Sequence, residues 1–499
     1  MCCFCFTASS PWVSRETSMS PLGERAASHV GSDRSDCTAR GLPALSFSQL
    51  SPTMPKKATA SSSIAPGELA KRFKGKKVGV CVSGGLDSKT VCKRMVMEGI
   101  DVVGFSADLG QPDETDIMNV KKRMATAGVD TVIVDLKDEM ADGCFDIIQA
   151  QAKYDGGYWN TTGIGRYVTC RGLITAMQKH KVDVLAHGAT GRGNDQMRFE
   201  RYTNVLAPKM QVYAPWRDAG LLEEFPGRTE MAAYLNSHGI EAFVGPKKKY
   251  STDANLAGLS HEAEDLESIE TPMTIVDPEM GVWPEKAPNK MEEIKMQFVG
   301  ARCVAINGKK LNPQGIIREA NTLGGKHGIG IKHALENRII GTKSRGVYEA
   351  PGMEVLGEGL KYVYQAVLDR RATKLFEHLS GLISDQIYDG RFFDPATKAS
   401  LIAIQELTKA ATGTVTLGAY KGNLFFLSLT GVQASLYNEA DSSMEASDGL
   451  NPVSSQGYAE VQSVEARMMA AADCIDMYPT GHGAGGASSS GAGAKRQKK

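Results

Sequence analysis

From Lys76 to about Gly245, short apolar runs alternate with stretches of helical spacing. Val78-Gly79-Val80-Cys81-Val82 alternates and predicts a buried strand. Val91, Met95 and Val96 then follow helical spacing until Gly99 stops it. Asp101 to Phe105 predicts a second strand, and Asp113, with Asp116 three residues on, reads as the cap of a helix reaching Gly128. Thr131 to Val134 is a third strand, Val182 to Ala186 a fourth and Gln211 to Tyr213 a short fifth. Between the third and fourth, Val168, Leu173, Ile174 and Met177 share a broad helical face. Strands alternating with helices of roughly 10 to 15 residues indicate a parallel sheet covered on both faces. Such sheets take ligands beyond the carboxyl ends of their strands, where strand order reverses.

Beyond Gly245 the pattern changes. Met273 to Val276 and Val304 to Ile306 read as strands, and Pro313 to Ala320 as a helix. Ala334-Leu335-Glu336 also reads as helical, on propensity. Val415 to Leu417 and Leu424 to Leu429 predict a hairpin around Lys421-Gly422-Asn423. This mixture indicates an α+β domain. Gly324-Gly325-Lys326-His327-Gly328-Ile329-Gly330 reads as a tight structural loop rather than a second nucleotide site. Val461 to Met477 has helical spacing through Val464, Met468 and Ala471, suited to packing against the body or another subunit. The ends look different. The first 70 or so residues are rich in Ser, Pro, Ala and Thr without apolar period, and Gly481 onward is Gly/Ala/Ser closing on Lys-Arg-Gln-Lys-Lys. The expected division is 1–72 disordered extension, 73–245 nucleotide domain, 246–440 second domain, and 441–499 helix and disordered tail. Met54-Pro55-Lys56-Lys57 offers a second start ahead of the ordered part.

Composition narrows the classes. At 499 residues there is room for two or three domains. Lys plus Arg and Asp plus Glu stand at 57 each, so no global field favours nucleic acid or membrane. The ten cysteines are scattered, which suits a reducing, cytoplasmic setting. Arg15, Arg25, Arg34 and Arg40 are matched by Glu16, Glu24, Asp33 and Asp36, whereas an organellar leader is normally poor in acids. Cys2 and Cys5 form a lone C-x-x-C without a second pair nearby.

Three polar clusters follow predicted strands, where the sheet rule wants ligands: Ser83 to Ser88, Ala107 to Gln111, and His187 to Asp195. In Ser83-Gly84-Gly85-Leu86-Asp87-Ser88, two glycines let the backbone turn its N–H groups inward. The helix that follows adds unpaired donors and a partial positive charge. That geometry suits the pyrophosphate end of a nucleotide; a plain Gly-rich turn is the alternative. It is neither a Walker A loop nor a G-x-G-x-x-G fingerprint. In the third cluster, Thr190 and Asn194 are short donors for a carboxylate, Asp195 can hold an ammonium group, and Arg198 can fork onto a second carboxylate. A flexible loop capped by Asn-Asp remains the competing reading of that stretch.

The first cluster resembles the SGGxDS loop of the ATP pyrophosphatases, which split ATP between its α and β phosphates. With Ala107-Asp108-Leu109-Gly110-Gln111-Pro112, His187 to Asp195, Tyr250-Ser251-Thr252-Asp253, Ser260-His261-Glu262-Ala263, Leu335-Glu336-Asn337-Arg338 and Tyr348-Glu349-Ala350-Pro351-Gly352, it resembles the argininosuccinate synthase family from about residue 76 to 430. The resemblance implies a Rossmann-like parallel-sheet nucleotide-binding domain followed by an α+β synthetase domain. It implies an ATP-dependent ligase that joins L-citrulline to L-aspartate through a citrulline-adenylate, releasing AMP and pyrophosphate, with Mg²⁺ accompanying the nucleotide. A homotetramer with small-molecule partners only, and neither nucleic acid nor membrane, is also implied.

Site roles carry over by position. Cys81, Val82, Ser83, Gly84, Gly85, Leu86, Asp87, Ser88, Lys89, Ala107, Gly188, Thr190, Asp195 and Asp253 fall at ATP-side positions. Thr190, Asn194 and Asp195 fall at the aspartate site; Tyr158, Asn194, Arg198, Ser251, Ser260, Glu262, Glu336 and Tyr348 fall at the citrulline site. Asp87, Asn194 and Asp195 are the expected catalytic residues, and no protein metal site is expected. Lys89 stands where many members carry Ser, and the resemblance weakens beyond Val432. A thiolating enzyme of the same loop superfamily would need a reactive cysteine or C-x-x-C in the folded part. An amidotransferase would need a glutaminase segment, and no fold follows Cys2. A non-catalytic sensor is a further alternative, opposed by the chemically intact site positions.

Overall fold

The computed structural model describes residues 67–114, 116–189, 193–242, 250–445 and 448–475. All lie within one compact unit, Ala60–Lys499. Helix α1 (Glu68–Arg72) opens inside the stretch expected to be disordered, with Leu69 and the following Phe73 buried. Then come β1 (Lys77–Cys81), α2 (Leu86–Met97), β2 (Asp101–Asp108), α3 (Met118–Ala125), β3 (Thr131–Asp135), α4 (Lys137–Ala150), the short pair β4 (Lys153–Tyr154) and β5 (Tyr158–Trp159), α5 (Thr161–Lys179), β6 (Val184–Ala186), α6 (Asp195–Leu206), β7 (Gln211–Tyr213), α7 (Ala219–Glu224) and α8 (Arg228–Ser237).

Strands β3-β2-β1-β6-β7 form a five-stranded sheet in that order. Its pairings are all parallel. Strand order reverses between β1 and β6, so the turn after β1 and the loop after β6 face each other at the switch point. The α/β expectation holds, with three differences. Helix α3 starts at Met118 rather than after Asp113; Asp116 Oδ1 accepts from the Met118 N–H at 3.0 Å. Helix α5 begins seven residues before Val168, at Thr161. Helix α4 was not expected at all; Met140, Cys144, Ile147 and Ile148 on it are buried.

The second part contains β8 (Ser251–Asn255), β9 (Gly258–Glu262), β10 (Glu292–Val299), β11 (Arg302–Ile306), β12 (Lys309–Lys310), α9 (Pro313–Lys326), β13 (Ile331–Asn337), β14 (Lys343–Glu349), α10 (Pro351–Val367), α11 (Arg370–Tyr388), α12 (Pro395–Thr408), β15 (Gly413–Tyr420), β16 (Asn423–Thr430), α13 (Glu439–Ser442) and α14 (Ser454–Ala471). Two antiparallel sheets, β12-β11-β10-β15-β16 and β13-β14-β9-β8, supply its framework. The β15–β16 hairpin turns through Lys421 and Gly422, both at positive φ, as its turn chemistry requires. One core cluster joins the two parts. It includes Met140, Cys144 and Ile148 of α4, Trp159, Met296, Leu356 and Val415. Helix α4 therefore packs between α5 of the first part and α9, α10 and α12 of the second.

Three expectations fail here. Met273–Ile275 is a 3₁₀ turn after Pro272 rather than a strand. Glu336 lies on β13 rather than a helix, because main-chain pairing with β14 overrides the helical propensity of Ala-Leu-Glu. Helix α9 runs on to Lys326 and absorbs the first glycines of the 324–330 stretch. Helix α14 forms about where spacing predicted one, yet none of its residues is buried.

Candidate active site

At the end of β1 the chain turns through Ser83 and Gly84 into α2. Gly84 adopts φ +74°, and a Cβ there would lie 2.7 Å from Arg123 Nε. Backbone and space both demand glycine. Gly85 caps α2 without a side-chain hydrogen bond, so no side chain occupies the amide donors of the first turn. Arg123 leans on the turn, donating to the Ser83 carbonyl at 3.4 Å and to Glu114 Oε2 at 2.5 Å. Asp87 is exposed, and among the described residues its carboxylate has no partner. Burial pushes the Cys81 thiol up to about 12, leaving it a neutral packing group. Ala107 lies near the end of β2, beside Asp108, which pairs with Lys137 at 2.6 Å.

A cavity of about 500 Å³ is lined in part by Gly188 and Ala189, just after β6. Strand parity builds its wall. In the four-stranded sheet, Asp253 pairs with Ser260 and Ser260 with Tyr348, while Ser251 pairs with Glu262. Glu336 pairs with Ser344 at the same parity, so these side chains share one face. Helices α5 and α6 close the other side with Arg166, Asp195 and Arg198. The cavity thus brings together Tyr158, Gly188, Asn194, Asp195, Arg198, Ser251, Asp253, Ser260, Glu262, Glu336 and Tyr348. The Cys81–Lys89 turn and Ala107 do not line it. Thr190, with Gly191 and Arg192, lies outside the described residues.

Glu336 is the most enclosed carboxylate of the cavity by exposed area. It is 4% exposed, accepting from the Tyr158 hydroxyl at 2.6 Å and from Ser344 Oγ at 3.0 Å. Tyr348 stacks on Tyr158 at 3.9 Å between ring centroids. Burial first, and then neighbouring ionisable groups, hold both phenols well above their ordinary value, so they remain donors. Glu262 differs. Burial, then the charges of Glu336, Asp195 and Asp253, raise it to about 7, and Arg338 at 3.9 Å only partly offsets them. Asp195 stays below the ordinary carboxylate range, because Arg166 and Arg198 outweigh its burial. Asn194 donates to the Tyr388 hydroxyl at 2.8 Å and accepts from the Ile339 N–H at 2.9 Å. One amide hydrogen is left for a ligand. His187 stacks on Phe199, and burial, then Arg217, depress it to about 4. Its Nδ1 accepts from the Ala189 N–H at 3.3 Å, so a neutral ring carries its proton on Nε2.

Arg166 and Tyr388 were missed from sequence. Arg166 is an ordinary position inside α5, and Tyr388 closes α11, some 190 residues from its partner Asn194. Neither sits in a motif. Among the described residues, no group of three or more His, Cys, Asp or Glu is arranged to hold a metal ion, and no helix is long and apolar enough to cross a membrane.

A parallel sheet with an open amide turn at its switch point, beside a cavity rich in opposed charges, defines an α/β enzyme for small polar substrates. Two family profiles then match nearly all of the described chain: the arginosuccinate synthase N-terminal HUP domain over residues 77–241 and the arginosuccinate synthase C-terminal domain over 250–469. An argininosuccinate synthase of Rhodopirellula baltica is 34% identical over 388 residues, spanning 77% of this chain and 96% of that protein. The chain belongs to the argininosuccinate synthase family. The match continues to residue 469, past Val432 where the sequence resemblance weakened. A predicted subunit of a tRNA methyltransferase from Methanocaldococcus jannaschii matches 33% of this chain and 89% of its own at 12% identity, with a TM-score of 0.22, and carries no argument.

Proposed function

We propose that the protein joins L-citrulline to L-aspartate at the expense of ATP, through a citrulline-adenylate, releasing pyrophosphate and then AMP. The carrying observation is a switch point at which β1, which leads into an uncapped helix N-terminus, pairs with β6, whose following residues Gly188 and Ala189 line a cavity holding both carboxylates and guanidinium groups. In this reading the triphosphate lies on Ser83–Lys89 and the adenosine end near Ala107 and Gly188. Citrulline's α-ammonium meets Glu262 and Glu336, its carboxylate meets Arg198 and the serine hydroxyls, and aspartate lies on Thr190, Asn194 and Asp195. The nucleotide domain corresponds to 73–245 and the synthetase domain to 246–440.

A ureido oxygen becomes part of a good leaving group only after activation. It attacks the α-phosphorus, an O–P bond forms, the bond to the β-phosphate oxygen breaks, and pyrophosphate departs. First-turn amides stabilise that growing charge without reorganising. The neutral amine of aspartate then attacks the activated carbon, AMP leaves with the C–O bond, and the nitrogen loses a proton. Asn194, between the two amino acids, aligns them, and alignment supplies much of the rate. The unpartnered Asp87 beside the turn fits a magnesium ion carried in on the phosphates, which supplies charge neutralisation for the departing pyrophosphate when bound. Asp87 is the carboxylate of the Ser83–Lys89 stretch itself, so such an ion would be held mainly by its nucleotide.

A homotetramer is part of the same reading: α14 buries nothing against its own chain although Val461, Val464 and Met468 lie along it. The described cysteines are free, in keeping with a cytoplasmic enzyme. Pyrophosphate release from ATP with citrulline and aspartate, each omitted in turn, tests the function. Release that needs all three supports the ligase, and release without citrulline overturns it.

A further inference from the structure

The cavity is lined by five carboxylates, Asp195, Asp253, Glu262, Glu267 and Glu336, against three guanidinium groups, Arg166, Arg198 and Arg338. Under the function proposed above, on which this inference rests, the anion aspartate and the zwitterion citrulline enter this excess of negative charge. The three arginines are not equivalent. Arg338 stands 3.9 Å from Glu262, and Arg198 donates to Asp195 Oδ1 at 3.0 Å while its Nε is committed to the Tyr388 carbonyl. Arg166 serves two carboxylates, one from each part of the molecule. Its Nε donates to Asp195 Oδ2 at 2.9 Å, at the start of α6, and its Nη2 to Asp253 Oδ2 at 2.6 Å, on β8.

Asp195 keeps Arg198 if Arg166 is lost, whereas Arg166 is the one ion-pair partner of Asp253 among the described residues. Arg166 is itself enclosed, with its side chain 19% exposed, on a helix that packs against both sheets. Two fork nitrogens pointing at two elements fix a distance as well as a charge. A lysine at this position keeps the charge but concentrates its donors on one atom, so it can approach both carboxylates without holding them at two separate donor positions. We propose that Arg166 is a positioning residue that ties the aspartate-side carboxylate Asp195 to the nucleotide-side carboxylate Asp253 across the two parts of the fold. Through it, the α6 end that receives aspartate is set relative to the strand beside the nucleotide.

The test compares Arg166→Lys, Arg166→Met and the double variant Arg166→Met/Asp253→Asn by steady-state pyrophosphate release, varying each substrate. In Arg166→Lys the thermal midpoint is kept, the aspartate KM rises about tenfold or more, equivalent to at least about 1.4 kcal/mol, and the citrulline KM moves by less than about threefold. Citrulline is spared because Glu336 is held by Tyr158 and Ser344, not by Arg166. In Arg166→Met, Asp253 is left without its counter-charge, so removing that charge in the double variant recovers aspartate use at least severalfold over Arg166→Met alone. Equal rises in the KM of all three substrates for Arg166→Lys overturn the proposal, as does a double variant no better than the single one. If Arg166→Met does not fold, the KM pattern of Arg166→Lys decides. A parent protein that releases no pyrophosphate overturns the function instead. Aspartate binding by calorimetry to parent and Arg166→Lys then still decides the positioning role, through a weakened or an unchanged affinity.

Discussion

Replacing Glu336 by glutamine keeps the shape of the side chain and removes its charge, at a position where two different costs can be separated. The first cost falls on the fold. Glu336 takes hydrogen bonds from Tyr158 at 2.6 Å and Ser344 at 3.0 Å. Each loses its charge assistance, which lowers its worth by about 1 kcal/mol, so the protein gives up roughly 2 kcal/mol of stability. The amide must also turn one donor toward a hydroxyl, which Ser344 accommodates by rotating to accept. Under the proposed function the second cost falls on citrulline, whose ammonium would lose a charge-assisted bond worth about 1.5 to 3 kcal/mol, equivalent to a 10- to 150-fold rise in apparent KM. Steady-state pyrophosphate release at saturating ATP and aspartate reads the second cost, and chemical denaturation reads the first. A folded Glu336→Gln protein with unchanged citrulline dependence refutes the assignment. Equal weakening of ATP and citrulline use points to a distorted site rather than a lost contact.

Other outcomes follow from the same geometry. Asp87→Ala abolishes pyrophosphate release while leaving the thermal midpoint in place, because the exposed carboxylate packs against nothing; near-normal turnover would remove the turn from the mechanism. Gly84→Ala, forced to φ +74° with its Cβ against Arg123, weakens ATP use at least tenfold (about 1.4 kcal/mol), measured as ATP KM in the same assay. Glu262 sits at about 7 in the fold against an ordinary 4.5, so the native state binds the extra proton between those values. Stability therefore falls as pH rises through that window, by less than the full shift because the side chain is 36% exposed and solvent screens it. Glu262→Gln flattens that slope in pH-dependent melting. In the parent, apparent citrulline KM improves as pH rises through about 7, where Glu262 ionises, and this dependence is lost in Glu262→Gln.

The parallel sheet was legible because its strands carry plain apolar runs between turns, as in Val78 to Val82 followed by two glycines. Helix α4 carried a periodic signal as well, with Met140, Cys144, Ile147 and Ile148 at i, i+4, i+7 and i+8 opposite Asp138, Asp142 and Asp146, and it was passed over rather than hidden. Glu336 misled for a different reason. Burial on β13 alternates through Ala334 and Glu336, but a carboxylate at an inward position hides the alternation, and Ala-Leu-Glu favours a helix in isolation. Most cavity residues were named from motif resemblance, which carries pairing information that local pattern lacks. Arg166 and Tyr388 had no such help. Their importance lies in partners 29 and 194 residues away, Asp195 and Asn194, and nothing in their own neighbourhoods records it.

The cavity wall draws on chain segments from Tyr158 to Tyr388, so no fragment that breaks that span can present it. Whatever binds there recognises the finished fold and nothing before it. A small molecule at a hundred times its dissociation constant deepens the native well by about 2.7 kcal/mol without touching the folding route. Metabolite supply then becomes a determinant of protein lifetime: a starved cell exposes more of the opened chain to its proteases, and a replete one shields the same molecules from turnover.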